Sequence, residues 1–240
     1  MALGTYHGRN YSFYLNPEAR ISLWVAYPLN RTLIGSGSRV DRWALDPKVP
    51  DDCQSVIFKG YKWGSDGRSY DRGHQLPSAD RLSAGVNETT FYGTNITPQL
   101  SSFNQNIWAS LEGMVRSWSG QFDTLYVVTG ADIRGAAQVA YDNYGKAVTV
   151  PSGYYKVLLG YKRNGTLGMT NSTGGYTGIA FYFAHTSYTN DRQTIFEHSM
   201  TIDAIEEKLG MDFFVNLPTV AGAAFASKVE STPDPWWQSH

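Results

Sequence analysis

The sequence predicts an α+β fold, with a central mixed or antiparallel sheet flanked by helices. Segments with strand character outnumber segments with helical periodicity in the 240-residue chain. The helical segments are also segregated instead of following every strand, as they would in repeated βαβ units. The 24 glycines and the 14% aromatic content favour a sheet with loops over a helix bundle.

The first half of the chain predicts two strands and a long irregular region. Residues 11–15 and 20–27 are predicted strands, joined by the turn sequence NPEA and followed by the loop sequence PLNRTLIGSGSR. Residues 46–73 are rich in Asp, Pro, Gly and Lys, which predicts irregular surface. A loop of that length inside a compact domain is often functional.

The best helix candidate is 101–118, which Ser101 or Ser102 could cap. Its apolar residues recur close to every 3.6 positions. The segments 124–130, 147–161, 178–185 and 196–202 are predicted strands. The segment 202–214 predicts a short helix ended by Gly210, and 231–240 predicts an extended C-terminal tail.

Composition excludes several classes of protein. A hydrophobic content of 42% and a charged content of 17% are typical of a soluble globular chain, and no apolar run approaches the roughly 18–20 residues of a membrane span. The formal net charge of −1 argues against tight, stoichiometric nucleic-acid binding, but less against an enzyme that releases its product. The single cysteine, Cys53, excludes an intramolecular disulfide and a cysteine-rich zinc site.

His74 lies in the sequence SYDRGHQLPSADR, close behind Asp71 and Arg72. An isolated histidine is more often structural than catalytic. An adjacent arginine is useful where the substrate is an anion, because a guanidinium can bind two phosphate oxygens. A neutral imidazole can also accept a proton from water. The second candidate group is Asn104, Glu112 and Arg116 on the predicted helix.

The spacing on an α-helix places Glu112 about 80° around and roughly 12 Å along the axis from Asn104. Glu112 could therefore reach the water shell of an ion bound at Asn104 but not the ion itself. Glu112 and Arg116 stand at i and i+4 and can pair. The alternative is a solvated amphipathic helix with one surface ion pair, in which Asn104 is only a polar first-turn residue.

The sequences DRGHQLPSAD (71–80) and TNITPQLSSFNQNIWASLE (94–112) together resemble the DNA/RNA non-specific endonucleases. This family has a ββα-metal active site and includes secreted bacterial nucleases and endonuclease G. The resemblance extends over about residues 20–220. It implies one nuclease domain spanning 1–240, with a short N-terminal segment and an extended C-terminal tail outside its core.

The resemblance also implies roles for individual residues. His74 corresponds to the general base, and Asn104 to the side chain that binds Mg²⁺ directly. Glu112 corresponds to the acid that holds a metal-bound water, and Asn95 to a supporting asparagine. The implied arginines are Arg72 of the DRGH sequence, Arg116 near the scissile phosphate, and an upstream arginine for which Arg39 is preferred to Arg42.

The implied reaction is Mg²⁺-dependent hydrolysis of phosphodiester bonds in DNA and RNA, with Mn²⁺ as a substitute ion. The products are 5′-phosphate and 3′-hydroxyl ends. The implied location is secreted or periplasmic, in a mature form behind a removed signal peptide. A cytosolic location is the alternative, since the first residues lack signal-peptide character.

Three alternative functions remain open at the level of sequence. The first is a catalytically idle nucleic-acid or partner-binding module on this fold. The second is a nuclease toxin domain paired with an immunity protein, and an inhibitor protein is a partner of the same kind. The third is a small-molecule phosphodiesterase, which hydrolysis of plasmid against a small aryl phosphodiester would distinguish.

Overall fold

The structure is a computed structural model that describes residues 10–83, 85–165 and 167–240. Residues 1–9, which include about half of the predicted N-terminal segment, lie outside the described residues. In chain order the strands are β1 (Ser12–Asn16), β2 (Ile21–Leu29), β3 (Asp71–His74), β4 (Ile96–Gln99), β5 (Thr124–Asp132), β6 (Val139–Tyr141), β7 (Ala147–Thr149), β8 (Gly153–Lys162), β9 (Met169–Asn171), β10 (Gly174–Ala184) and β11 (Ser199–Met200).

Seven of these strands form the central sheet in the order β1-β2-β5-β8-β10-β11, with β9 paired to β10. Every strand pair in this sheet is antiparallel, in agreement with the predicted fold class. The helices are α1 (Arg31–Ile34), α2 (Ala109–Ser119), α3 (Arg192–Glu197), α4 (Ile202–Leu209), α5 (Leu217–Ala221), α6 (Ala223–Ser231) and α7 (Trp236–Ser239).

Helices cover both faces of the sheet because successive side chains on a strand point to opposite sides. On β8, Tyr154 and Leu158 face the cluster that contains the α2 residues Leu111 and Val115. Their neighbours on the opposite face join a second cluster beneath α4. This arrangement gives a layered α+β structure in which α2 has a fixed position over the sheet.

The strands β3 and β4 form a separate antiparallel pair, and the chain then enters the helix that continues into α2. Three short 3₁₀ helices, Ser78–Asp80, Asn87–Phe91 and Gly93–Asn95, occupy the connection from β3 to β4. The ββα unit therefore carries both motif sequences on three consecutive elements.

The prediction of one regular α-helix over 101–118 is wrong in its first turns. A π-helical segment, Phe103–Trp108, precedes α2, so the 80° relation between Asn104 and Glu112 does not hold. The predicted serine cap is also wrong. Ser101 Oγ donates to Asp71 Oδ1 at 2.7 Å, and Ser102 Oγ accepts from Ser187 Oγ.

Other predicted elements are confirmed. The two N-terminal strands correspond to β1 and β2, and the segment 124–130 lies within β5. The strand predicted at 178–185 corresponds to β10. The helix α4 ends before Gly210, which adopts the left-handed conformation at φ 66°.

The predicted strand 147–161 is in fact two strands, β7 and β8, which belong to different sheets. The predicted strand 196–202 is also wrong for most of its length. It consists of the end of α3, the two-residue β11 and the start of α4. Asp191 and Thr201 accept hydrogen bonds as N-caps of α3 and α4, and this capping fixes the helices there.

The extended C-terminal tail is a wrong prediction as well. The chain forms α6 and α7, and Trp237 is fully buried against Trp118 with ring centroids 5.1 Å apart. Burial of a tryptophan is worth on the order of 2–3 kcal/mol, which exceeds the weak preference of the flanking polar and proline residues for an open chain. Among the described residues, no helix is both long enough and apolar enough to cross a bilayer.

Candidate active site

His74 is the last residue of β3 and lies opposite Ile96 of β4. Gly73, which precedes it, permits a close approach of the two strands. A Cβ at Gly73 would lie 2.1 Å from Gln99 Oε1, so any other residue would displace that buried side chain. The glycine is therefore required for strand packing, and its φ is not among the positive values.

The His74 ring is enclosed by aromatic side chains. Its centroid lies 5.4 Å from that of Trp43 and 5.2 Å from that of Phe91. Burial lowers the pKa of His74 to about 3, and Arg39 adds to this effect, while the backbone of Arg72 opposes it. Near neutral pH the imidazole is therefore uncharged, which is the form that can accept a proton.

The Nε2 atom of His74 is buried and has no hydrogen-bond partner. The backbone of Arg72 raises the pKa of this ring, in opposition to burial. A ring that carries its proton on Nδ1 has its lone pair on Nε2. A buried polar atom without a partner is costly, and this one is the acceptor that a base needs.

Asn95 fixes the chain that follows His74. Its Oδ1 accepts from Leu76 N at 2.9 Å, and its Nδ2 donates to Leu76 O and to Thr90 O. Its own carbonyl accepts from Gln75 N at 2.9 Å. Because Asn95 is fully buried, these bonds hold the turn after β3 rigidly against the segment that enters β4.

Asp71 organises the start of the helix. Its carboxylate accepts hydrogen bonds from Ser101 Oγ, from Asn104 Nδ2 at 3.0 Å and from Gln105 Nε2 at 2.8 Å. The bond to Nδ2 fixes which way the Asn104 amide faces. None of the described residues donates to Asn104 Oδ1, so this oxygen remains as a ligand atom.

A cleft of about 340 Å³ opens beside Asn104. Its polar lining includes Arg39, Lys59, Asp71, Arg72 and Asn104. Three positively charged side chains and one carboxylate therefore surround the Asn104 amide. This excess of positive charge suits an anionic substrate.

Arg72 and His74 lie on the same face of β3, and both contact Trp43. The Arg72 guanidinium carbon lies 3.8 Å from the centre of the Trp43 ring. Arg72 Nη1 also donates to the carbonyls of Ile57 and Phe58 at 3.2 and 3.1 Å. Trp43 thus links the histidine to the arginine that lines the cleft.

The two upstream arginines have different surroundings. Arg39 lines the cleft, lies 4.9 Å from the Phe91 ring and pairs with Asp41 at 2.9 Å. Arg42 is 75% exposed and is 3.8 Å from Glu88. Only Arg39 of the two therefore adjoins the groups around His74.

Glu112 and Arg116 are partly buried and adjoin the buried charged residues Asp80 and Lys156. Arg116 forms an ion pair with Asp80, a carboxylate that is 2% exposed. The predicted surface pair of Glu112 with Arg116 is wrong, since Arg116 bonds Asp80 instead. Burial raises the pKa of Glu112, while Lys156 is the main group that favours its charged form.

A family model described as DNA/RNA non-specific endonuclease matches residues 5–220. The chain belongs to the DNA/RNA non-specific endonuclease family. It is therefore a nuclease that acts on DNA and RNA without sequence specificity.

Individual relatives agree with this family. The chain is 29% identical to a nuclease of Nostoc sp. over 222 residues, which covers 92% of this chain and 77% of the relative. It is 28% identical to a nuclease of Serratia marcescens, with 93% and 80% of the two chains covered. Human mitochondrial endonuclease G is 28% identical, with 89% and 70% covered.

The fold also matches a solved member. A chain in the crystal structure of the EndoG/EndoGI complex superimposes with a TM-score of 0.64 at 22% identity. The match covers 86% of this chain and 84% of that one. At this identity the comparison concerns the fold, and it confirms the α+β architecture with a ββα unit.

Members of the DNA/RNA non-specific endonuclease family depend on a metal ion. The described residues contain no group of three or more His, Cys, Asp or Glu side chains that could hold one. The available donor is the carbonyl oxygen of Asn104. A single neutral oxygen fits an ion such as Mg²⁺ that keeps most of its own water molecules. Asn104 is therefore a suitable ligand for a hydrated Mg²⁺ ion.

Sequence reasoning missed the roles of Asp71, Trp43 and Lys156. Asp71 stands in the DRGH sequence, but its partner Asn104 is 33 residues away. Nothing in the sequence around Trp43 beyond its aromatic character indicated a role. The sequence around Lys156 did contain an indication. Lys156 shares the inward strand face of Tyr154 and Leu158, and it is fully buried.

Proposed function

We propose that the chain hydrolyses phosphodiester bonds with His74 as general base and Mg²⁺ as the resident ion. The products are 5′-phosphate and 3′-hydroxyl ends. One observation carries this proposal: the His74 ring, whose Nε2 has no partner, packs against Trp43, and the Trp43 ring also contacts Arg72 in the cleft of Asn104.

His74 accepts a proton from the attacking water at Nε2. Its low pKa keeps it uncharged, and the contacts with Trp43 and Phe91 hold the ring orientation. Asn95 fixes the residues that follow His74 and so holds the His74 ring in place. It is therefore a positioning residue.

Arg72 and Arg39 stabilise the negative charge that develops on the phosphate. Both line the cleft, and burial of Arg72 against Trp43 strengthens its field. A Mg²⁺ ion held by Asn104 would supply Lewis-acid stabilisation of the phosphate and of the leaving 3′ oxygen, and Mn²⁺ would substitute for it.

Glu112 is proposed to hold a water of that ion, and Arg116 to act near the scissile phosphate. The family resemblance supports both roles. Asp80 fixes the Arg116 guanidinium through an ion pair. Burial and Asp80 raise the pKa of Glu112 to about 7, and Lys156 favours its charged form. A charged Glu112 accepts hydrogen bonds from water at both carboxylate oxygens.

The proposed domain organisation is a single nuclease domain with its core at about residues 20–220. Secretion or export to the periplasm is the proposed location, although the relatives include both bacterial nucleases and mitochondrial enzymes. An inhibitor or immunity protein is a proposed partner, and the solved structure that matches this fold is a complex of EndoG with EndoGI.

The experiment that tests this proposal is digestion of supercoiled plasmid and of structured RNA, each with and without EDTA. We expect both to be degraded with Mg²⁺ and neither with the chelator. The fragments should accept ligation at 5′ ends without prior phosphorylation. Undiminished cleavage in EDTA, or 3′-phosphate ends, would contradict the mechanism.

A further inference from the structure

Exposed aromatic side chains concentrate in two short segments beside the cleft. Of six aromatic side chains that are at least about a third exposed among the described residues, four lie within 58–63 and 141–144. We call these four the aromatic ledge: Phe58 (45% exposed), Trp63 (68%), Tyr141 (36%) and Tyr144 (70%). Such clustering of apolar surface indicates a binding function more than chance exposure does.

Backbone hydrogen bonds join the two segments into one surface. Lys62 N donates to Tyr141 O at 2.7 Å, and Lys59 N donates to Asn143 Oδ1 at 2.8 Å. Asn143 N in turn donates to Val56 O at 2.8 Å. The positions of the ledge residues relative to one another are therefore fixed by the fold.

The same surface is continuous with the cleft. Lys59, Gly60 and Tyr61 line the cleft together with Arg72 and Asn104. The carbonyl of Phe58 accepts a hydrogen bond from Arg72 Nη1 at 3.1 Å. The chain between the ledge residues Phe58 and Trp63 therefore forms part of the cleft wall.

The charge of this surface suits a polyanion. The segments 56–68 and 139–147 carry four basic residues, Lys59, Lys62, Arg68 and Lys146, against two acidic ones, Asp66 and Asp142. Both acids are engaged. Asp142 is fully buried and accepts from backbone amides, and Asp66 accepts from Tyr70 Oη at 2.7 Å. The lysines Lys59 and Lys62 are exposed.

We propose that the aromatic ledge and its lysines bind single-stranded nucleic acid flanking the bond to be cut. Aromatic rings stack on bases, and lysines contact the phosphates between them, as non-specific single-strand binding requires. Bases in a duplex are already stacked and paired, so their faces are not available to the ledge. This inference rests on the proposed function, because it takes the cleft to be where the phosphate is cut.

The test measures binding of a 20-nucleotide single strand and of a blunt 20-base-pair duplex in EDTA, by fluorescence anisotropy. His74→Ala is the common background, so that no cleavage occurs. Adding Trp63→Ala with Tyr144→Ala should raise the Kd for the single strand by about 10- to 100-fold, as expected for lost stacking. The Kd for the duplex should change by less than about 3-fold.

Two further variants sharpen the result. Trp63→Phe keeps an aromatic ring and should retain single-strand affinity within about 3-fold. Tyr14→Ala, which removes an exposed aromatic on β1, should leave both Kd values unchanged. The double change Lys59→Gln with Lys62→Gln should reduce the salt slope of log K by about 1.4, since each phosphate contact contributes about 0.7.

Equal losses on the single strand and the duplex would overturn the single-strand assignment. Unchanged single-strand affinity in the ledge variants would overturn the assignment of the ledge to nucleic acid. The ledge would then be a protein-binding surface if the same variants abolished a dimer seen in sedimentation or abolished binding to an inhibitor protein. These outcomes leave the nuclease activity of the unmodified chain untouched. Absence of plasmid and RNA cleavage by that chain would instead overturn the proposed function.

Discussion

The carboxylate of Asp71 accepts a hydrogen bond from Nδ2 of Asn104 at 3.0 Å, and this contact decides the orientation of the Asn104 amide. The amide then presents Oδ1, and not its NH₂ group, as the atom without a partner. An amide free to rotate would present either end. The Asp71 carboxylate thus orients the proposed metal ligand.

Asn104→Ala should weaken the binding of Mg²⁺ or Mn²⁺ by about 10-fold or more, because it removes the proposed direct ligand. Asp71→Ala should weaken it by about 10- to 100-fold, as is usual when a ligand loses its orienting partner. Calorimetric titration with Mn²⁺ measures both effects. Gln105→Ala is the matched control, since Gln105 bonds the same carboxylate from an exposed position. Unchanged Mn²⁺ binding by Asn104→Ala would remove that residue from the site.

His74→Ala should lower the rate of plasmid cleavage by about 10²–10⁴, the usual contribution of a general base. The assay is the initial rate of nicking at saturating Mg²⁺, with circular dichroism to show that the variant is folded. His240→Ala changes an exposed histidine and should cleave at the rate of the unmodified chain. A folded His74→Ala protein with full activity would exclude His74 as the base.

The value of kcat/KM should not fall through protonation of His74 between pH 7 and pH 5. Burial lowers the pKa of this group to about 3, so the ring is uncharged throughout that range. A general base is active when it is uncharged. The activity that depends on His74 should therefore be lost only as the pH approaches 3. The measurement is kcat/KM, which reports on the free enzyme, across that range at constant ionic strength. Because burial raises the pKa of Glu112 to about 7, the same profile is measured for Glu112→Gln. An acid limb with a midpoint near 6.5 that persists in that variant would show that the His74 ring is solvated.

His185 should make folding stability depend on pH. Its Nε2 accepts from Leu100 N and its Nδ1 donates to Pro151 O, each at 2.8 Å. Burial lowers its pKa to about 4 from a usual 6.5. Between those values the unfolded chain takes up the proton first, so stability falls as pH falls, by on the order of 3 kcal/mol at the acid limit.

Urea denaturation at pH 7.5, 6.0 and 4.5 measures this contribution. His185→Gln can keep both hydrogen bonds but does not titrate, so its stability should fall less between pH 6.5 and pH 4 than that of the unmodified chain. The difference between the two proteins isolates the histidine from the carboxylates, whose own titration is common to both. Parallel stability curves would show that His185 is not held uncharged in the fold.

The sequence allowed prediction of the fold class, and the motif segments proved to lie together on the ββα unit. The reason is that β3, β4 and the helical segment that contains Asn104 form one ββα unit in chain order, so the two motif sequences suffice to place His74 and Asn104 on that unit. Contacts between residues that are distant in the chain could not be predicted from the sequence. Nothing in the spacing indicates that Asp71 and Asn104 bond across 33 residues, or that Gly73 makes room for Gln99.

The errors at the helix and the tail have different physical causes. The π-helical segment at Phe103–Trp108 keeps an apolar periodicity close to that of an α-helix, so the sequence does not distinguish them. The C-terminal residues include Pro, Ser and Asp, which locally favour an open chain. Their structure is instead decided by Trp237, which packs against Trp118 and Phe122, a tertiary contact that outweighs local preference.

Lys156 should be essential for stability through the buried charges that surround it. It is fully buried, its Nζ donates to Thr129 Oγ1 at 2.7 Å, and the nearby Glu112 and Asp80 favour its charged form. Lys156→Met leaves these two carboxyl groups with less compensating charge. The expected loss is about 3–5 kcal/mol in the free energy of unfolding, as when one partner of a buried pair is removed.

A double-mutant cycle with Glu112→Gln separates charge from packing. If Lys156 acts by compensating Glu112, the double variant should recover about 1–3 kcal/mol relative to the sum of the single changes. Lys162→Met is the matched control, because Lys162 ends the same strand with a partly exposed side chain, and its effect should stay within about 0.5 kcal/mol. Strict additivity in urea denaturation would mean that Lys156 serves only to fill space beside the Trp108 ring. Lys156 would then have no role in holding Glu112 ionised.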